Sequence, residues 1–140
     1  MRRYFDASAS VAAMVAEEEH HTAAFNALAE SADAFTSTQA LAETFATLTS
    51  GRLDIQLTPK EAMQVMDANV VRRLEVMELT LADYVQAMQR SQAAGARGGA
   101  IYDLLHLQAA RRGKAQRILT MNVGHFQTFA PDLKELISLP

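Results

Sequence analysis

Residues 101–122 read IYDLLHLQAARRGKAQRILTMN. The first twelve carry Leu and Ala at helical spacing and run into Gly113, a residue type that closes helices. After the GKAQ turn, RILTMN from Arg117 is a short apolar run suited to a strand covered on both faces. The same alternation extends outward. RRYFDA at the N-terminus, DAFTST from Asp33 and EVMELT from Glu75 are further short runs. Between the first two lie SVAAMVA and EHHTAAFNALAES, both of helical period, the second ending before the polar turn Ser31 to Asp33. QALAETFATLTSG places Leu41, Phe45 and Leu48 on one stripe, with Gly51 as a stop. Thr58-Pro59 pairs a capping residue with proline at the first helical position and opens a helix through Val71. Leu81-Ala82-Asp83 starts another that ends at the loop Gly95-Ala96-Arg97-Gly98-Gly99. Strands joined by helical crossovers imply a mainly parallel sheet, helices on both faces.

The chain has 140 residues, 49% of them hydrophobic, which predicts a single domain spanning 1–140 around one core. It has no cysteine, so neither a disulfide framework nor a thiolate metal site can form, and a cytoplasmic setting is expected. The apolar stretch after Arg3 is interrupted by Asp6 and stopped by Glu17, Glu18 and Glu19; it reads as neither a spanning helix nor a signal peptide, and no membrane association is expected. A net charge of −3 argues against a protein that holds nucleic acid by neutralising phosphates with its own side chains. A nuclease gripping its substrate through carboxylate-bound cations escapes that objection.

In open parallel sheets the functional crevice lies at the carboxyl ends of the strands. Asp6 closes the first strand, and Glu43 stands about one helical turn into the helix after the second. Asp103 sits in the first turn of its helix, and Asn122 ends the RILTMN run. Taken singly each has a plain reading: Asp6 as a helix cap, Asp103 as a complement to a helix dipole, Glu43 as a solvated helix face, Asn122 as a turn residue. Taken together they put four oxygen-bearing side chains at one end of the sheet. Carboxylates clustered without arginine partners are costly unless a cation joins them. His20 and His21 read as a solvated helix start, and His106 and His125 as structural or peripheral. HExxH, Cys/His zinc spacings, P-loops, GxGxxG after a strand and serine nucleophile elbows are all absent.

The strings RRYFDASA, LAETFATLT, IYDLLHLQAA and ILTMNVGHF, in that order, resemble the four motifs of PIN-domain ribonucleases, in particular the VapC-like toxins of bacterial toxin–antitoxin pairs. The resemblance spans essentially the whole chain. It implies a three-layer α/β/α sandwich around a parallel sheet of four or five strands, with Asp6, Glu43 and Asp103 at the family's acidic positions. Asn122 falls where many members carry a fourth acid. It further implies a metal-dependent endoribonuclease acting on RNA, a homodimer and a cognate antitoxin protein. The methionine-rich stretch Met63, Met66 and Met77 is a candidate for the association surface. Oxygen donors without thiolates favour Mg²⁺ or Mn²⁺, held by Asp6, Asp103 and Glu43. Arg52, Arg90 and Arg97 are candidate phosphate contacts. Two alternatives are a PIN-like binding module with weakened catalysis and a small-molecule hydrolase on the same acids. Against a phosphoaspartate enzyme, Asp6 is followed by Ala7 and Ser8 rather than a second aspartate.

Overall fold

The computed structural model describes residues 1–140. Strands β1 (Arg3–Phe5), β2 (Ala34–Ser37), β3 (Glu75–Met77), β4 (Arg117–Leu119) and β5 (Ile137–Ser138) form one parallel sheet in the order β3-β2-β1-β4-β5. Helices α1 (Ala7–Met14) and α2 (His21–Glu30) join β1 to β2. Helices α3 (Thr38–Thr49) and α4 (Pro59–Met66) follow β2, α5 (Leu81–Ala94) and α6 (Ile101–Arg112) follow β3, and α7 (Val123–Phe129) follows β4. The expected α/β architecture is present, with five strands. The fifth was not among the runs read from sequence: it is two residues long, too short to show a period.

The layers follow from the two-residue side-chain period of a strand. Tyr4, Phe35, Ile118 and Ile137 point to one face, where they meet Leu104, Leu105 and Leu107 of α6 and Phe126 of α7. Phe5, Ala34 and Leu119 point to the other, against Ala9 and Ala12 of α1, Leu28 of α2 and Leu74. Helices α3 and α4 join that second side through Leu48, Ala62 and Met66, which pack on Val11 and Val15. The register pairs Tyr4 with Phe35 and with Ile118. A one-residue slip would exchange these two cores, so burial of both faces fixes the register.

Helix starts are written in the sequence as side-chain caps. Ser37 caps α3 by accepting from the Ala40 N–H, and Thr58 and Thr80 form reciprocal capping boxes with Glu61 and Asp83 at α4 and α5. The helix expected from Thr58 to Val71 is α-helical only to Met66; Asp67–Val71 is a π turn. The stripe expected on α3 is also incomplete. Leu48 is buried, whereas Leu41 and Phe45 are half-buried and the inner face is taken by Gln39, Ala40 and Thr44. This helix turns polar groups inward.

The chain builds β1, β2 and β3 outward in one direction, then crosses back to lay β4 and β5 on the other flank of β1. Connections therefore leave β1 and β4 in opposite directions, which opens a crevice at their carboxyl ends.

Gly113 has a different role from the one its place at the end of α6 suggests. Its φ is −79°, an ordinary value, and the left-handed residue is Lys114 at φ 56°. What Gly113 supplies is space, since a Cβ there would stand 2.3 Å from the Phe35 ring. That ring is held by Tyr4 at 5.2 Å and by the Arg2 guanidinium at 4.2 Å from its centroid. Arg2 in turn donates to the Gly113 carbonyl at 2.6 Å. Gly113→Ala should destabilise the protein by about 1–3 kcal/mol, the usual cost of overpacking a filled core. Urea denaturation measures this; an unchanged midpoint would show that Phe35 yields freely.

Candidate active site

Asp6 directly follows β1 and is the N-cap of α1. One carboxylate oxygen, Oδ1, accepts from the Ala9 N–H at 2.8 Å and the Ser8 hydroxyl at 2.7 Å. The other, Oδ2, accepts from the Thr120 hydroxyl at 2.6 Å, across the β1–β4 boundary. Thr120 and Ser8 also accept the backbone N–H of Asn122 and of Met121, at 3.0 and 2.9 Å. The side chain is 2% exposed. Asp6 thus fills the capping role and faces the crevice at once, held by neutral donors alone.

Asp103 lies in the first turn of α6 and is half-buried. Its pKa is raised: burial penalises the charge, and the charges of Asp6 and Glu43 add to the shift against the opposing pull of His106 and His125. Glu43 on α3 turns toward the same space rather than to solvent. Its Oε1 accepts from Gln39 one turn earlier, and its Oε2 lies 2.6 Å from His106 Nε2. Asn122 is not at the end of β4, which stops at Leu119. It stands beyond Met121 as the exposed N-cap residue of α7, its side chain making no capping bond.

A cleft of about 440 Å³ is lined by Asp6, Glu43, Asp103 and Asn122 together, with Glu18 and Arg52 also on its walls. The four side chains singled out from the sequence are therefore gathered in one place. Of the three candidate arginines only Arg52 reaches it. Arg90 lines a separate hollow beside Arg111 and Asp132, and Arg97 lies in another by Gly95. In this conformation no three Asp, Glu or His side chains are drawn together tightly enough to ligate one ion. The donor set nevertheless suits a hard divalent cation: carboxylate oxygens facing a common space, no cationic side chain paired with Asp6 or Asp103, and mutual repulsion that a cation would relieve.

Of the two readings given for His106, structural or peripheral, the peripheral one is corrected by its place on the cleft wall. His106 is 2% exposed and stands inside the site, bonded to Glu43 by Nε2 and to the Tyr4 hydroxyl by Nδ1 at 2.7 Å. Burial works to lower its pKa, but the Glu43 bond and the charges of Asp6, Glu43 and Asp103 outweigh it, and the net shift is upward. The signal in the sequence was its spacing of three from Asp103, which puts both on one side of α6. His21 is not simply solvated, since its Nδ1 lies 2.8 Å from the Ala12 carbonyl and ties α2 to α1. Ser8, Thr120, Gln39 and Tyr4 were missed, because hydroxyls and amides carry no sequence signal until a partner is known.

Residues 3–129 match the family model of the PIN domain. The chain belongs to the PIN-domain family. Among solved structures, this PIN domain is similar to VapC20 of Mycobacterium tuberculosis, described as a sarcin-ricin loop cleaving toxin. The two are 17% identical over 93% of this chain and 94% of that one, with a TM-score of 0.72. It is also similar to VapBC2 of Rickettsia felis bound to a promoter DNA fragment, at 18% identity over 91% and 92% and a TM-score of 0.65. At such identities the likeness is one of fold. No curated protein matches the sequence.

The raised pKa of Asp103 sets a test on cation-free protein. Because the folded value exceeds the unfolded one, ionising Asp103 costs the folded state. That cost is absent below the ordinary value of 3.8 and grows as pH rises through the raised one. Asp103→Asn in the presence of a chelator should therefore melt above wild type at neutral pH, with the difference vanishing in acid. A mutant that melts lower at every pH would show that Asp103 holds the fold by contacts rather than straining it by charge.

Proposed function

We propose that this PIN domain is a divalent-cation-dependent endoribonuclease, the toxin of a toxin–antitoxin pair. The observation that supports this most is the convergence of Asp6, Glu43 and Asp103 on one cleft at the sheet's switch point, with no cationic side chain on Asp6 or Asp103. Asp6, Asp103 and Glu43 would hold Mg²⁺ or Mn²⁺. When bound, such a cation supplies Lewis acidity and an activated water for phosphodiester hydrolysis, so no protein nucleophile is required. The chain's own part is orientation. Asp6 is fixed from three sides by the Ala9 amide and the Ser8 and Thr120 hydroxyls, and Glu43 from two by Gln39 and His106. Arg52, exposed on the cleft wall, is placed to meet a phosphate, and Asn122 at the rim to donate or accept a hydrogen bond.

RNA is the proposed substrate because a flexible single strand presents its phosphodiesters more readily than a duplex. The two similar structures, a sarcin-ricin loop cleaving toxin and a VapBC complex on promoter DNA, support a toxin with an antitoxin partner. No helix is long and apolar enough to cross a membrane, and a cytoplasmic setting is proposed with the function. A homodimer is proposed too. Met63 is exposed, whereas Met66 is in the core and Met77 half-buried, so the surface methionine stretch reduces to Met63. A more extended exposed apolar row, Leu81, Tyr84, Val85 and Met88, runs along α5. The second reading, a PIN-like binding module without catalysis, draws on the tethering of Glu43 and the absence of three gathered ligands.

Incubation of the purified chain with single-stranded RNA decides between them. Cleavage should appear with Mg²⁺ or Mn²⁺ and stop on chelation. Asp103→Asn should lower the rate by on the order of 10²-fold or more, the scale lost with one preorganised electrostatic group. Asn122→Asp should keep or raise activity. A folded wild type inert on varied RNAs with both cations would favour the binding module.

A further inference from the structure

Four polar groups run through the otherwise apolar layer between β1 and α6. Ser37, the N-cap of α3, has its Oγ 3.1 Å from the Tyr4 hydroxyl; Tyr4 lies 2.7 Å from His106 Nδ1; His106 Nε2 lies 2.6 Å from Glu43 Oε2. Glu43 is on α3 again, so the chain of bonds leaves that helix at its first turn and returns to it through a strand and a second helix. Ser37, Tyr4 and His106 are each no more than 2% exposed. Burying them costs free energy unless every bond is made.

For a neutral imidazole facing the Glu43 carboxylate, donor and acceptor accounting gives the chain a direction. Ser37 Oγ accepts from the Ala40 N–H at 3.1 Å and has its own proton to pass to Tyr4. The buried Tyr4 phenol is an O–H donor 2.7 Å from Nδ1 and can donate to it. A neutral imidazole with Nδ1 occupied as an acceptor carries its one proton on Nε2. A charged imidazole donates from both nitrogens, with Tyr4 then turning its hydroxyl to Ser37. In either state Nε2–H points at Glu43.

We propose that His106 is a positioning residue for Glu43: the Ser37–Tyr4–His106 chain keeps a proton on Nε2 and thereby fixes the carboxylate toward the cleft. This rests on the reading of the cleft as a cation site in which Glu43 takes part. The geometry favours it over plain core filling. Core filling alone would be served by an apolar ring of the same shape, and would need neither the alignment with Tyr4 nor the bond to a residue on another element. Gln39 holds the other Glu43 oxygen from one turn earlier on the same helix, which leaves rotation about the carboxylate restrained from both sides.

The test uses the full chain with Mn²⁺ as the probe, titrated by calorimetry, and nitrogen-15 spectra of the histidines without metal. His106→Phe should weaken Mn²⁺ by about 10- to 100-fold, the usual loss when the partner orienting a ligand is removed. His106→Gln, which can still donate to Glu43, should recover much of it. In a Glu43→Ala background His106→Phe should cause no further loss. Wild-type spectra should show His106 protonated at Nε2, and Tyr4→Phe should admit the other tautomer at high pH while weakening Mn²⁺ several-fold less than His106→Phe. Should His106→Phe fail to fold, Tyr4→Phe and the spectra carry the decision alone. Wild-type spectra with the proton on Nδ1 overturn the inference, as does additivity of His106→Phe with Glu43→Ala. If Glu43→Ala weakens Mn²⁺ but the His106 and Tyr4 variants do not, only this inference fails. If Glu43→Ala itself binds Mn²⁺ as wild type does, the cation reading of Glu43 falls and takes this inference with it.

Discussion

The Asp6 carboxylate is the fixed point of the molecule. It ends the central strand, caps the helix that follows and accepts the hydroxyl of Thr120 just beyond the neighbouring strand. Those tasks demand a small side chain with two acceptors at the one place where β1 meets β4. Because its donors are an amide and two hydroxyls, none of them charged, the negative charge is oriented but not cancelled. Everything else in the cleft inherits that condition. Asp103, desolvated by burial and facing that anion, resists ionisation, and Glu43 is bound by an amide and an imidazole that hold it in the same space.

The polar interior follows from where the helices cross the sheet. Helix α3 would ordinarily bury an apolar stripe, yet Gln39 and Thr44 turn inward with Leu48. Helix α6 is buried from Leu104 to Ala110 without a break, so His106 and Gln108 have no solvent face to retreat to and must find partners inside. They largely do. Two buried side-chain atoms, Oε1 of Gln39 and Oε1 of Gln108, have no hydrogen-bond partner. Gln39 is the residue holding Glu43, so one of these two unsatisfied groups stands directly behind a cleft carboxylate. Beneath these groups lie the apolar cores, where Tyr4, Phe5, Phe35 and Phe126 are fully buried.

Much of this was legible in the chain. The alternation of short apolar runs with helical stretches is a direct image of a parallel sheet buried on both faces, and Thr58-Pro59 marked its helix start to the residue. Asp6, Glu43 and Asp103 stood out because carboxylates at strand ends and first turns fall in the crevice of such a sheet. Arg90 and Arg97 were misplaced since nearness in sequence to Asp103 or to a loop says nothing of the direction a surface helix faces. The strand end assigned to Asn122 erred because β4 stops pairing at Leu119, opposite Phe5 of β1 and Ser138 of β5, and a three-residue strand leaves little periodic trace.

What the sequence determined by itself is therefore local and periodic: element order, caps, the parallel sheet and the acids at its ends, all set by intervals of two or of about 3.6 residues. What only the tertiary structure decided are relations between residues far apart in the chain. Gly113 is needed for the room it leaves Phe35 rather than for its backbone freedom. His106 belongs to the cleft because Glu43, on another helix, comes within 2.6 Å of it. Thr120 matters because Asp6 does. A hydroxyl, an imidazole or a missing Cβ has no meaning until its partner is in place, and the partner is supplied by folding.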